Sequence, residues 1–502
     1  MKFMLRILMP LLWAHTSNAY FTVDNEKHYI TALYFTDWSY PGSAPLDIPL
    51  SHVTNIFFAF GGLNTHEYNI FWTNHSADVS NRINLDLSTL IDDCNDLKNL
   101  NISENVNAEM YRNITWLDDY LSNANKFINS YTKDVNNRNS QGLIGQLHQL
   151  KTINPRLKIS LSIGGDGSGA RFKSITKSKI AIKKFVANVA ANLEAFGFDG
   201  IDIDWEFPET HKEKKYMLYL VEKFSQRFAK MEPDASKRKI ISIALPLDLD
   251  TLEFYDLQNL DPYVSYYNLM GYDISGKWSA QSGYQSQLYP DPNVTGSSIS
   301  VDTTVKYLSG YVDKSKILLG MPAYGRTFNT DKLYSKFTDC ATLNRSLEHY
   351  SDNDPEDCMI QYIYLPPPGY TEVSNTEIGA AYAYISDGEE DKGIIVYDTP
   401  EIARLKAKYV ADNGLGGGMW WDSHGDHLIK NTSRSLVYNF ISELGGIYML
   451  NDNIAQGSNG NDGQTDIVSV HMLNSDFASI SGRRYTLGRL FWVLMASSIL
   501  LL

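Results

Sequence analysis

Phe198-Asp199-Gly200-Ile201-Asp202-Ile203-Asp204-Trp205-Glu206-Phe207-Pro208 reads as a buried strand with carboxylates along one face. Strand side chains alternate, so Asp202, Asp204 and Glu206 point one way and Ile201, Ile203 and Trp205 the other. Asp199 is out of phase and suits a structural role at the strand's start. A solvated acidic strand would not carry those apolar residues on its second face. A calcium loop would place glycine and further oxygen ligands nearby, and Pro208 follows instead. Carboxylates aligned at this spacing cannot all stay ionised in a confined site. One shares a proton with its neighbour and another has a raised pKa. At the C-terminal end of a parallel barrel strand, such residues read as catalytic.

On both sides of this strand, short runs rich in Ile, Val, Leu, Tyr and Phe alternate with segments of helical period. Strands are expected near Ile30–Phe35, Val53–Phe60, Leu157–Ile163, Gly200–Trp205, Ile240–Leu245, Val264–Tyr272, Ile317–Ala323 and Gly417–Trp421. Several are apolar on both faces, as parallel strands covered by helices must be. Helices are expected at Ile180–Phe196, Lys214–Met231, Val301–Tyr311 and Pro400–Asn413, the last with a first-turn proline and Gly414 as its stop. This alternation predicts an α/β fold, a (β/α)8 TIM barrel rather than an open sheet. Residues 65–140, polar and Asn-rich, read as a large loop insertion after the second strand. Residues 327–392 read as a small α+β insertion subdomain after the seventh.

Other motifs fall in order around the carboxylate strand: Leu161-Ser162-Ile163-Gly164-Gly165, Asn268-Leu269-Met270-Gly271-Tyr272-Asp273, Gly320-Met321-Pro322-Ala323-Tyr324-Gly325-Arg326 and Gly416-Gly417-Gly418-Met419-Trp420-Trp421-Asp422. Together they make the chain resemble the family 18 glycoside hydrolases, the chitinases, from about Tyr29 to Leu444. The family's DxxDxDxE signature is complete from Asp199 to Glu206, and the eighth-strand segment looks like that of fungal members. The resemblance implies a retaining mechanism in which the substrate's own 2-acetamido oxygen attacks C1. It assigns Glu206 as acid/base, Asp204 as the carboxylate that holds the acetamide nitrogen, and Asp202 as its proton-sharing partner. Tyr272 would orient the acetamide carbonyl and Asp273 a sugar hydroxyl or acetamide, while Trp421 would form the floor of the sugar site. Met270, Arg326, Tyr34, Trp38 and Phe60 are carried over as substrate-binding. Without the resemblance, Tyr272, Trp421 and the lone aromatics would read equally as packing residues, and Arg326 as a surface ion pair. Two positions depart from the family: Asp166 stands where a platform tryptophan is usual after the paired glycines, and Phe207 where tyrosine is common. The first puts long-chain binding and processivity in doubt.

The whole chain has 502 residues, 43% hydrophobic, with a net charge of −14. That is ample for a core and ill suited to nucleic acid, whose phosphates want a basic surface. Chitin and its oligosaccharides, neutral polymers, are the expected partners of a monomer, with no cofactor and no metal. Residues 1–19 read as a signal peptide: Lys2 and Arg6, an apolar run from Ile7 to Ala14, then Ser17-Asn18-Ala19. Six N-x-S/T sequons agree with secretion. Cys340 and Cys358 are candidates to pair in an oxidising compartment, with Cys94 left over. The catalytic barrel is expected over residues 20–446, a polar linker over 447–489 and an apolar tail over 490–502. The tail follows a polar spacer as a GPI-attachment signal would, although a membrane anchor or a tail packed on the barrel also fits. A secreted protein, at the cell wall or GPI-anchored, is the expected setting. Two rivals remain: a chitin-binding lectin on a dead barrel, which would lose the acid/base glutamate, and an endoglycosidase that cuts the chitobiose core of N-glycans.

Overall fold

The computed structural model describes residues 28–40, 42–74, 82–84, 87–99, 115–133, 139–294, 299–341, 358–385 and 393–450. The expected leader and tail, and the linker beyond residue 450, lie outside the described residues. Eight strands form the barrel: β1 (Ile30–Thr36), β2 (Asn55–Asn64), β3 (Lys158–Gly165), β4 (Gly200–Trp205), β5 (Ile240–Leu245), β6 (Tyr266–Leu269), β7 (Ile317–Pro322) and β8 (Gly417–Trp421). Each pairs in parallel with the next, and β8 pairs in parallel with β1, so the sheet closes as a (β/α)8 barrel. The sixth strand is shorter than its apolar run, because Met270 to Asp273 leave the sheet and Asp273 turns to a positive φ of 59°.

Alternation along each strand divides the core into two layers. Leu33, Phe35, Leu161, Ile163, Ile201, Ile203 and Trp205 face outward and are buried under the helices. Fully burying one such side chain contributes about 1.5–3 kcal/mol. Ala32, Tyr34, Phe57, Ala59, Leu318 and Met419 form a separate apolar cluster on the opposite strand faces. Asp202, Ser162, Ser242 and Asn268 are also buried and hydrogen-bond together. At the start of β4, Asp199 accepts from Lys151 Nζ at 2.7 and 2.8 Å and from the Ile159 amide at 2.8 Å.

The helices are capped by the residues their ends require. Ser178 accepts from the Ala181 amide, Thr210 from Glu213 and Thr399 from Ile402, each an N-cap contributing about 0.5–2 kcal/mol. Pro400 occupies the first turn of the last of these helices, and Gly414 ends it in the left-handed conformation, φ 73°.

Three sequence expectations need correction. Residues 65–140 are more than a loop. β2 continues into an antiparallel hairpin with Asn69–Trp72, and helices follow at Ser88–Asn99 and Thr115–Lys133. Leu90, Cys94 and Leu97, then Leu117, Tyr120 and Ala124, recur at helical spacing and are buried. The insertion after β7 is a five-stranded antiparallel sheet from Tyr324 to Tyr397, wider than 327–392. Its described residues hold one 3-10 turn, Tyr362–Tyr364, and no α-helix. Cys340 and Cys358 are joined there as a disulfide, while Cys94 is buried elsewhere. The linker cannot start at 447. Ile447 and Leu450 are buried, and the Met449 carbonyl accepts from the Tyr29 amide at 2.7 Å, so the barrel extends to residue 450.

Candidate active site

β4 delivers the carboxylates to the barrel mouth, and β3 is shaped to let it. Gly164 and Gly165 have φ of 122° and 85°. A Cβ at Gly164 would sit 2.0 Å from the Asp204 carbonyl oxygen, and one at Gly165 would sit 2.6 Å from the Phe60 ring. Only glycine passes both. Beyond the pair, Ser168 Oγ donates to the Asp204 carbonyl at 3.2 Å and accepts from the Glu206 amide at 3.4 Å. The loop is thereby hooked to the backbone of the carboxylate strand.

The carboxylates have unlike surroundings. Asp202 is fully buried and accepts four hydrogen bonds. Tyr34 and Ser162 donate to Oδ2 at 2.8 and 2.7 Å, and Ser242 and Asn268 donate to Oδ1 at 2.7 and 3.1 Å. Burial raises its pKa, and these four donors oppose the rise. A carboxylate has about four acceptor positions, so Asp202 is saturated. No hydrogen bond joins it to Asp204.

Asp204 is the opposite case. It is buried, and its Oδ1 has no hydrogen-bond partner. Burial holds its carboxyl well above the usual range, with the Glu206, Asp202 and Asp166 charges adding to the effect. Glu206 is half-buried, and among the described residues its carboxyl makes no hydrogen bond. Burial, then Asp166 and Asp273, push it up to about 7. An acid free of partners with such a pKa is protonated near neutrality and still able to lose its proton.

The remaining predicted residues surround this strand. Tyr272 follows β6, and its hydroxyl is held well above the usual range by burial and by the Asp204 and Asp273 charges. Asp273 Oδ1 accepts from Tyr324 Oη at 2.7 Å and from Arg326 Nε at 2.9 Å, with Arg326 Nη2 at 2.8 Å. Arg326 is buried rather than a surface residue, and its guanidinium lies 5.0 Å from the Trp278 ring. Trp421 packs against Tyr34, Phe60 and Trp38 with ring centroids 5.3, 5.7 and 6.2 Å away. Trp38 lies 5.9 Å from Phe60 and stays 54% exposed, an aromatic surface open to solvent. Met270 packs against the same cluster.

Three participants lay inside quoted motifs without being singled out, and a fourth, Asp166, was noted only as a departure from the family. Ser162, Asn268 and Tyr324 each hydrogen-bond a predicted carboxylate, and Asp166 adds its charge to two of them. Ser242 and Trp278 fell outside every motif. Ser242 alone had a signal, a polar residue in the middle of an apolar strand.

Residues 30–426 match the family model described as glycosyl hydrolases family 18. The sequence is 29% identical to sporulation-specific chitinase 2 of Saccharomyces cerevisiae over 436 residues, 83% of this chain and 78% of the relative. It is 28% identical to endochitinase 1 of Metarhizium robertsii, over 83% of this chain and 86% of that one. The catalytic domain of the psychrophilic chitinase B from Arthrobacter TAD20 has the same fold. Its TM-score is 0.64 and its identity 22%, covering 83% of this chain and 95% of that chain.

Proposed function

The chain belongs to the family 18 glycosyl hydrolases, and from that premise we propose that it hydrolyses the β-1,4 linkages of chitin with retention of configuration. Glu206 gives its proton to the leaving glycosidic oxygen as the C1–O bond breaks. The 2-acetamido oxygen of the same sugar attacks C1 and closes an oxazolinium ring. Glu206, now a carboxylate, takes a proton from water, whose oxygen adds to C1 and opens the ring. Asp204 accepts from the acetamide N–H and stabilises the cation that develops there. Asp202, filled with donors, keeps a buried negative charge behind Asp204. Tyr272 donates to the acetamide carbonyl, and the Trp421 ring carries the apolar face of the sugar.

One observation carries this reading: a carboxyl with a pKa of about 7 and no protein partner, on the same strand face as a buried carboxylate with an unpartnered oxygen. Retention of Glu206 argues against a lectin. The test is turnover of chitotetraose by the native protein and by Glu206→Gln, which keeps size and cannot donate. The variant should lose about 10²–10⁴-fold in kcat and still bind the tetramer. Near-native turnover by the Gln variant would remove Glu206 from the chemistry. Cleavage of a high-mannose glycopeptide with chitotetraose left intact would favour the N-glycan enzyme.

A further inference from the structure

Positive charge is concentrated locally on this acidic chain. Between Asp166 and Glu194 lie Arg171, Lys173, Lys177, Lys179, Lys183 and Lys184, and no acidic residue. The neighbouring His211–Met231 helix adds six more basic residues against two acidic ones. Lys173 is paired, with Glu209 at 2.6 Å. The exposed Lys177, Lys179, Lys183 and Lys184 have no acidic partner among the described residues. Like charges so crowded repel one another, which is costly to the isolated fold and favourable to an anionic partner.

The lysines are also ordered around aromatic rings. Lys177 and Lys184 both lie 5.2 Å from the Tyr68 ring centre, on the hairpin that extends β2. Lys179 and Lys223 flank Tyr219 at 5.0 and 4.8 Å. Each half-buried tyrosine thus holds two cations about one ring. A flat ring edged with ammonium groups matches a pyranose ring that carries an acidic substituent. A membrane surface would want several protruding apolar side chains, and on these helices and the adjoining hairpin only Ile180, 82% exposed, and Phe71, 41% exposed, protrude.

We propose that this helical face binds an anionic polysaccharide at a site separate from the carboxylate cleft. The experiment measures retention of the full chain on immobilised polygalacturonate across a salt series. Uncharged mannan, duplex DNA and phosphatidylserine vesicles are the comparison surfaces. Native protein should be held by polygalacturonate more tightly than by DNA or vesicles at equal charge and salt, and released as salt rises. Reversing Lys177, Lys179, Lys183 and Lys184 to Glu should weaken that binding at least about tenfold at low salt. A control reversing Lys314, Lys336, Lys408 and Lys430 should leave it within about twofold. Both variants should stay folded at the assay temperature and keep native turnover of short chitin oligosaccharides, since none of these lysines belongs to the cleft. Equal weakening by both variants overturns the proposal, as does binding to DNA or vesicles that equals or exceeds binding to polygalacturonate.

Discussion

Arg326 and Asp273 meet through a single carboxylate oxygen: Nε and Nη2 of the arginine lie 2.9 and 2.8 Å from Asp273 Oδ1. Tyr324 donates to that same oxygen at 2.7 Å, which leaves Oδ2 as the one available to a sugar. This geometry makes the arginine a positioning residue for Asp273. Arg326→Leu should raise KM about tenfold with a smaller change in kcat, because a loosened Asp273 binds less well. Loss of a charge-assisted bond to a carboxylate 37% exposed should cost about 1–3 kcal/mol of stability. Adding Asp273→Asn should recover part of that stability without recovering KM. An unchanged KM in Arg326→Leu would sink this account.

Asp166 stands one step beyond the Gly165–Trp205 register pair, which brings it beside Glu206 across β3 and β4. Its charge helps to push Glu206, the proposed acid/base, up to about 7. A general acid works while protonated, so activity should fall as pH rises through that value. Asp166→Asn removes an anion, lowers the Glu206 pKa and should move the alkaline limb of kcat/KM to lower pH. Asp166 is exposed, so strong salt should shrink the difference between the two profiles. An alkaline limb that stays in place or moves upward would show that Asp166 does not tune the acid.

Much of the barrel could be read from sequence because its strands are short buried runs, some apolar on both faces, as Ile317 to Met321 is. Where apolar character outlasted pairing, at Met270 to Tyr272, the reading overran. The Ser88–Asn99 helix was hidden because its buried apolar residues are only Leu90, Cys94 and Leu97, and buried Thr89 and Asp93 break up the pattern. The eight residues Asp199 to Glu206 announced the carboxylates, whereas the partners that distinguish them come from distant segments. The donors to Asp202 arrive from β1, β3, β5 and β6. Which carboxylate is saturated and which is bare is a property of the closed barrel, and no local pattern encodes it.

Asp204 offers a buried oxygen with no protein donor, which is the opening an acetamide N–H would fill. Asp204→Asn keeps the shape but replaces an acceptor by a donor and removes the stabilising charge. We expect kcat to fall by about 10²–10³-fold. A thiazoline analogue of the cyclised sugar should inhibit the native protein competitively and the Asn variant far more weakly. Equal inhibition of both proteins would count against any contact between Asp204 and the ring nitrogen.

Trp421 packs against three aromatic rings and is proposed to carry the sugar as well, and two substitutions separate the roles. Its ring is half-buried against Tyr34, Phe60 and Trp38, so Trp421→Ala leaves a partial cavity where three aromatic contacts met. Full burial would put the cost near 3–5 kcal/mol, and half-burial brings it to about 2 kcal/mol. Trp421→Phe keeps a ring against the same neighbours and should restore most of that stability. It should not restore the rate, because the smaller ring covers less of the sugar's apolar face and holds it less well in the reactive geometry. Kinetics on chitin oligosaccharides, taken well below the melting point of each variant, read the two effects apart. Native kcat/KM in Trp421→Phe and in Trp421→Ala, alongside a lowered melting point in the latter, would leave Trp421 as a packing residue only.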